Sequence, residues 1–352
     1  MRMQWLVLAL LANGAAHAAS FDCTKAATPQ EKAICASPQL SAADDRLAVA
    51  YRAVLAATPP EFVSEVRDEQ RHWLRSMAQN CKIAESQSNP ALTACMLRQY
   101  PARTKVLQGR TLPMGGVPFF WRSITIKTPD APGDVMPAMR QYEANPGFGT
   151  LDASWPQARV STPEWQAWNL GIESAAKKIS VESPGGATGK GTAKWAAMGG
   201  VDTTLSVSIG LVNPEIVSAT IEDFWDGHGA HPNVSSIQLN WLLNQKRELK
   251  AEDVFRLDSG WDGFLQTSCD RYLHRVLDGN GQSYENFGAP GEMPKALHGI
   301  VVNSQNWQLD GKGLTIVFQD YAVACHACTP SPLTIPWTEL RPYLKSSFAI
   351  PK

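Results

Sequence analysis

The chain lacks any short catalytic signature. There is no GxSxG elbow and no HExxH pair, so serine-hydrolase or zincin chemistry would have to be assembled from residues far apart. The one glycine-rich stretch, Gly185 to Gly189 ahead of Lys190, has three intervening residues where a P-loop has four, and Gly191 follows the lysine where a hydroxyl is needed. No phosphate cradle is expected there, and nothing in the sequence calls for a cofactor. Charge of one sign is missing too: 32 Lys and Arg face 33 Asp and Glu, which gives no electrostatic case for nucleic acid or anionic membranes as partners. Apolar runs are short, the most continuous being Trp5 to Ala12, too short to span a bilayer.

That run has the form of an export signal. Arg2 supplies a positive start, Asn13 and Gly14 end the apolar core, and Ala16, His17 and Ala18 make a small-x-small cleavage site. Cleavage after Ala18 would leave 334 residues beginning at Ala19, with 31 basic and 33 acidic side chains. Cys23 follows Ala19, Ser20, Phe21 and Asp22 and no lipidation box, so a periplasmic or secreted protein without a membrane anchor is expected. That length suggests two domains. Gly and Pro are sparse in residues 31 to 57 and frequent after residue 110, which puts the division between a domain at 19–109 and another at 113–350.

The first domain reads as helical. Leu47, Ala50, Tyr51, Val54 and Leu55 recur at spacings of three and four, predicting an amphipathic helix over 41–55 with Ser41 as N-cap. Thr58, Pro59 and Pro60 turn the chain. A second helix over 61–80 carries Phe62, Val66, Trp73 and Met77 on one stripe, and a third over 91–107 should kink or restart at Pro101. Cys23, Cys35, Cys81 and Cys95 in an exported chain should form two disulfides and not a zinc site, since there is no CxxC among them. If the first two of these helices form an antiparallel hairpin, Cys81 returns beside Cys35, which favours Cys35–Cys81 and leaves Cys23–Cys95.

These residues carry a resemblance. Phe21, Cys23, Lys25 and Ala26, then Glu31, Ile34 and Cys35, then Leu47 and Tyr51, then Gln70, Arg71, Trp73 and Leu74 ahead of Cys81, and finally Cys95, Tyr100 and Arg103 together resemble the LprI-type lysozyme-inhibitor N-terminal domain over residues 21–108. Pro101, between the family's Tyr and Arg, is a departure. The resemblance implies a helical module associated with inhibition of lysozyme.

Beyond Gly109 the pattern changes. Leu205, Val207, Ile209 and Leu211 alternate with Ser206, Ser208 and Gly210, and strands are also predicted over 216–224, 236–243 and 314–318. Period-two alternation with a polar face implies an antiparallel sheet covered on one side. Helices are predicted over 162–178, 251–255 and 261–277, making this an α+β domain, with 181–194 as a flexible loop. Trp165 and Trp168 should share one buried helix face. The other tryptophans raise the possibility of stacking on sugars, although most such rings serve cores.

The densest polar cluster runs from Phe224 to Asn233. Asp226, His228, His231 and Asn233 sit in a turn that Gly227 and Gly229 permit and Pro232 stiffens. A metal there would need a third ligand from Asp226 or His326, so local hydrogen bonding is the preferred reading. Cys325 and Cys328 flank His326 and Ala327, but the following Thr329, Pro330, Ser331 and Pro332 cannot propagate the helix that a redox CxxC requires. One structural disulfide is expected, either Cys325–Cys328 or Cys269 with one of them.

A second resemblance rests on this region. Gly227, Gly229, Ala230, His231, Pro232 and Asn233, then Leu249, Asp253, Val254 and Phe255, then Leu314 to Phe318, Tyr321, Val323 and Ala324, and last Ile335, Pro336, Glu339 and Leu340 resemble the C-terminal domain of RsiV-type anti-sigma factors, also found in PdaC-type deacetylases. Asp320 stands where that family usually has proline. The resemblance implies lysozyme recognition and no catalysis, with Tyr321 and Asp320 in a ligand-facing loop and His228 and His231 in the neighbouring turn. The whole chain then reads as a binder of a lysozyme or other peptidoglycan hydrolase, acting by occlusion. The alternative is a non-catalytic glycan-binding accessory protein of the envelope.

Overall fold

A computed structural model describes residues 19–82, 90–135, 147–182, 195, 197–228, 231–279 and 293–351. The expected export signal and nearly all of the expected loop at 181–194 lie outside those residues, as do Gly229 and Ala230. The chain divides into two compact units, one ending at Arg110 and the other beginning at Thr111.

In the first unit, α1 (Pro29–Ala36) starts with a reciprocal cap: Thr28 Oγ1 accepts the Glu31 N–H at 3.2 Å, and Glu31 Oε2 accepts the Thr28 N–H at 2.8 Å. Helix α2 (Pro38–Ala57) begins a turn earlier than its periodicity suggested. Ser37, not Ser41, is its N-cap, because Pro38 at the first helical position is already set for helix entry, and Ser41 is buried inside. Helix α3 (Val63–Asn80) and helix α4 (Pro90–Gln108) complete the unit. Pro101 neither ends nor restarts α4. It removes one N–H from a helix whose other face is locked in place by buried Met96, Tyr100 and Leu107.

The disulfides join Cys23 to Cys35 and Cys81 to Cys95, correcting the expected Cys23–Cys95 and Cys35–Cys81. The expectation required α2 and α3 to pair as a hairpin. Instead α2 packs chiefly along α4, burying Leu40, Leu47 and Val54 with Leu92, Met96 and Tyr100. Cys81 at the end of α3 therefore meets Cys95 near the start of α4, and Cys23 in a short 3-10 turn meets Cys35 at the end of α1.

The second unit is built on a seven-stranded sheet in sequence order: β1 (Thr111–Met114), β2 (Val117–Pro129), β3 (Phe148–Ala158), β4 (Asp202–Val212), β5 (Ile216–Asp226), β6 (Asn233–Leu242) and β7 (Arg247–Glu248). Every neighbouring pair is antiparallel except β3 and β4, which run parallel because helix α5 (Pro163–Glu182) carries the chain across. Trp165, Trp168, Ile172, Ala176 and Ile179 of α5 bury against Trp155, Leu205, Val207, Ile221, Leu239 and Trp241 of the sheet. Gly171 allows this approach, since a Cβ there would fall 2.5 Å from the Trp241 ring.

After β7 come α6 (Ala251–Val254), α7 (Trp261–Leu273), α8 (Met293–Val302), the strands β8 (Trp307–Leu309), β9 (Gly313–Ile316) and β10 (Leu333–Pro336), and α9 (Trp337–Leu340). The predicted helix over 261–277 changes to a π turn at His274–Asp278. Strands β8 to β10 form a second, antiparallel sheet, and with α7 and α8 they enclose another core around Phe255, Trp261, Leu265, Leu297, Trp307 and Ile316. This layer touches the face of the large sheet opposite α5, so the expectation of one covered side is corrected. Ser206, Ser208 and Gly210 of β4, which carried the expectation, are exposed, and the cover lies over β5 and β6, where Asn240 accepts the Ser218 hydroxyl and donates to the Trp307 carbonyl at 2.6 Å.

Arg247 grips Asp253 with both guanidinium nitrogens at 2.7 Å, fastening β7 to α6. That contact, followed by the Lys250 N–H, holds the Asp253 carboxyl below its ordinary value of 3.8. A depressed carboxylate stabilises the fold fully above the unfolded value and loses that contribution as pH falls through the folded one. Asp253→Asn should therefore lower stability at neutral pH and flatten the acid limb below about pH 4 in thermal unfolding followed against pH.

Candidate functional site

The chain leaving β9 is pinned beside β6. Gln319 Oε1 accepts the Ser236 N–H at 2.9 Å, while Phe318, Val323 and Ala324 are buried on either side of the exposed segment. Between these anchors the Ala322 N–H donates to the Gln319 carbonyl at 3.1 Å, and the tight turn forces Tyr321 to φ 61°. A tyrosine in the left-handed region costs of order 1–2 kcal/mol. The strain is held by the turn's surroundings, and its result is a ring 59% exposed.

Several contacts fix that ring. The His231 Nδ1 lies 2.9 Å from the Pro232 carbonyl, which can only accept, so Nδ1 carries the proton. Its Nε2 then accepts the Tyr321 hydroxyl at 3.1 Å. The His231 imidazole stacks on that of His326, with centroids 4.4 Å apart and planes 6° from parallel. His326 Nδ1 in turn bonds Asp320 Oδ2 at 2.7 Å, and Asp320 Oδ1 accepts the Thr329 hydroxyl at 2.9 Å. A disulfide between Cys325 and Cys328 closes the loop that carries His326.

Of the four residues singled out in the sequence, the structure brings together Asp320, Tyr321 and His231. His228 stands apart. It is buried at φ 56°, its N–H donates to Asp226 Oδ1 at 2.7 Å, and its ring turns toward Asp202, 3.8 Å away. Sequence reasoning missed His326 as the brace behind His231, weighing it only as a metal ligand, and read Thr329 only as part of the segment that stops a helix after Cys328. The signal was present in a histidine held inside a four-residue Cys-to-Cys loop directly after Tyr321.

The arrangement is not that of a metal centre or a thiol site. Two imidazoles stacked face to face hold their lone pairs in separate parallel planes, which cannot converge on one ion. Among the described residues no cluster of three His, Cys, Asp or Glu has metal-binding geometry. Cys325 and Cys328 are spent on each other, and Cys269 is a buried thiol pushed up to about 12 by its apolar surroundings, which leaves almost no thiolate at neutral pH.

In the first unit, some of the residues that carried the LprI resemblance form a partly buried network. Gln70 Oε1 accepts from Arg103 Nε at 2.9 Å, Arg103 Nη1 donates to Glu69 at 2.6 Å, and the Arg103 guanidinium lies 6.0 Å from the Trp73 ring centre. Trp73 meets Tyr100 edge-on at 5.5 Å, and Arg110 also pairs with Glu69. Burial pushes Arg103 and Arg110 down to about 10, still charged at neutral pH. This network ties α3 to α4. Arg71, by contrast, pairs with Asp68 on the surface.

No curated protein matches the chain. Among solved structures, it is similar to a DUF3298 family member from Bacteroides fragilis, at 14% identity and TM-score 0.41 over 67% of this chain and 96% of that one. It is similar also to a DUF3298 family protein from Pseudomonas aeruginosa, at 12% identity and TM-score 0.43 over 64% and 94%. The helical unit, with its two disulfides, its buried Gln70, Tyr100 and Arg103 and its half-buried Trp73, is similar to a described family across nearly its whole length: residues 23–107 match the family described as Lysozyme inhibitor LprI.

Proposed function

We propose that the protein is an exported, non-catalytic inhibitor that occludes the substrate cleft of a lysozyme or another peptidoglycan hydrolase. The observation that carries this reading is the LprI match over residues 23–107. Bridged cysteines support a place outside the cytoplasm, and among the described residues no helix is long and apolar enough to cross a membrane. Cleavage after Ala18 and a periplasmic or secreted location complete the proposal.

The RsiV-type resemblance supports a role for the second unit in recognition. Tyr321 is its best anchor, a large amphipathic ring already ordered by His231, so little conformational freedom is lost when a partner covers it. The tryptophans offer less, because no described one is fully exposed. Inhibition assays with purified mature protein against lysozymes and wall hydrolases test the reading. Slowing at micromolar concentration is expected, with Tyr321→Ala weakening it at least tenfold. Undiminished hydrolysis with every enzyme tried would overturn it.

A further inference from the structure

The N-terminal helical unit carries an open cleft of about 450 Å³ between the chain at Ser20 and Phe21, the start of α1, and residues of α2 to α4. That volume lies within the span of small-molecule sites. Its polar lining is unusually deep: Asp44 is 8%, Gln70 8% and Tyr100 1% exposed. Each of these is held in one orientation. Asp44 Oδ2 accepts both the Ser20 N–H at 3.0 Å and its hydroxyl at 2.6 Å. Gln70 Oε1 faces Arg103, and because a guanidinium only donates, the carboxamide cannot flip. The Gln70 amide nitrogen therefore turns the other way, with no partner among the described residues. Tyr100 accepts from Gln30 at 3.3 Å, and burial, together with the Asp44 carboxylate beside its hydroxyl, keeps its own proton bound far above the ordinary tyrosine range.

These groups select among ligands. An anion meets the Asp44 carboxylate. A cation meets the Gln70 N–H groups with Arg103 directly behind them. A hydrocarbon leaves the Gln70 amide N–H groups unpaired, at a cost of roughly 1–3 kcal/mol, and brings no further donor to the Asp44 carboxylate that Ser20 already holds. A neutral group with an acceptor beside a donor satisfies both, and a small apolar substituent suits the neighbouring Leu47 and Phe21.

We propose that this cavity binds an N-acetylated sugar, the acetamido carbonyl accepting from Gln70, its N–H directed at Asp44, its methyl against Leu47, and ring hydroxyls at Gln30 and Tyr100. The site stands apart from hydrolase inhibition, and its test uses no hydrolase. Calorimetric titration of the full mature protein with N-acetylglucosamine and its β-1,4-linked disaccharide should give saturable binding at least tenfold tighter than glucose or N-acetylalanine methylamide. Ala48 lines the cavity without holding its polar groups, so Ala48→Phe should fill it and weaken binding at least tenfold with an unchanged thermal midpoint. Gln70→Leu should do the same if it folds, and Ala48→Phe decides the matter if it does not. No saturable heat at millimolar sugar, equal affinity for glucose or for the peptide amide, or full binding by a folded Ala48→Phe protein would each overturn the proposal.

Discussion

Glu69→Ala is expected to destabilise the N-terminal helical unit by about 3–5 kcal/mol, the range found when one partner of a buried ion pair is removed. Glu69 faces two guanidiniums, those of Arg103 and Arg110, whose side chains are only 5% and 4% exposed. Burying a cation without its counter-charge is what makes the loss large, more than the attraction forgone. Glu69→Gln, which keeps the acceptor but not the charge, should fall between wild type and alanine. Urea unfolding followed by far-UV circular dichroism reads both values. A cost under about 1 kcal/mol for the alanine variant would mean that water reaches the network, as it does for exposed pairs.

The second large effect is Trp307→Ala, expected to cost about 3–5 kcal/mol in the second unit. Trp307 is fully buried, with its ring edge-on to Phe255 at 5.6 Å and to Trp261 at 5.8 Å. Its indole N–H donates to the Val301 carbonyl at 2.8 Å, and its own carbonyl takes the Asn240 amide from the large sheet. The residue thus joins α8, β8 and β6, and alanine would leave a cavity at that junction. Trp307→Phe should cost less, about 1–3 kcal/mol, since much of the ring volume stays and one hydrogen bond is lost. Guanidinium unfolding monitored by near-UV signals separates the two variants. Equal losses would assign the effect to the hydrogen bond and not to packing.

How far the sequence showed all this depends on the range of the signal. The helices α2 to α4 and the strands β4 to β6 were legible because spacings of 3.6 and 2 are written into neighbouring residues. Strand β3 was not recognised: it buries Thr150, Leu151 and Ala153, then Trp155 and Pro156, on both faces of the sheet, and so breaks alternation. The disulfide pairing was illegible for another reason, since it turns on whether α2 lies beside α3 or α4, which no local spacing encodes. At the candidate site, Tyr321 and Asp320 were found through resemblance. The stacking of His231 on His326 joins positions far apart in the chain, and only the turn of β5 into β6 beside the loop after β9 brings them together.

The connectivity of the four N-terminal cysteines sets how that unit acquires its bridges. Cys23 joins Cys35 and Cys81 joins Cys95, so each bridge joins two cysteines that are consecutive along the chain. A polypeptide emerging amino end first into an oxidising space would present each pair complete before the next begins. Oxidation in order of emergence yields the native set directly, whereas the nested arrangement of Cys23–Cys95 around Cys35–Cys81 would need the first thiol to wait for the last. The unit can be cross-linked while the remainder of the chain is still arriving, with no call on an isomerase.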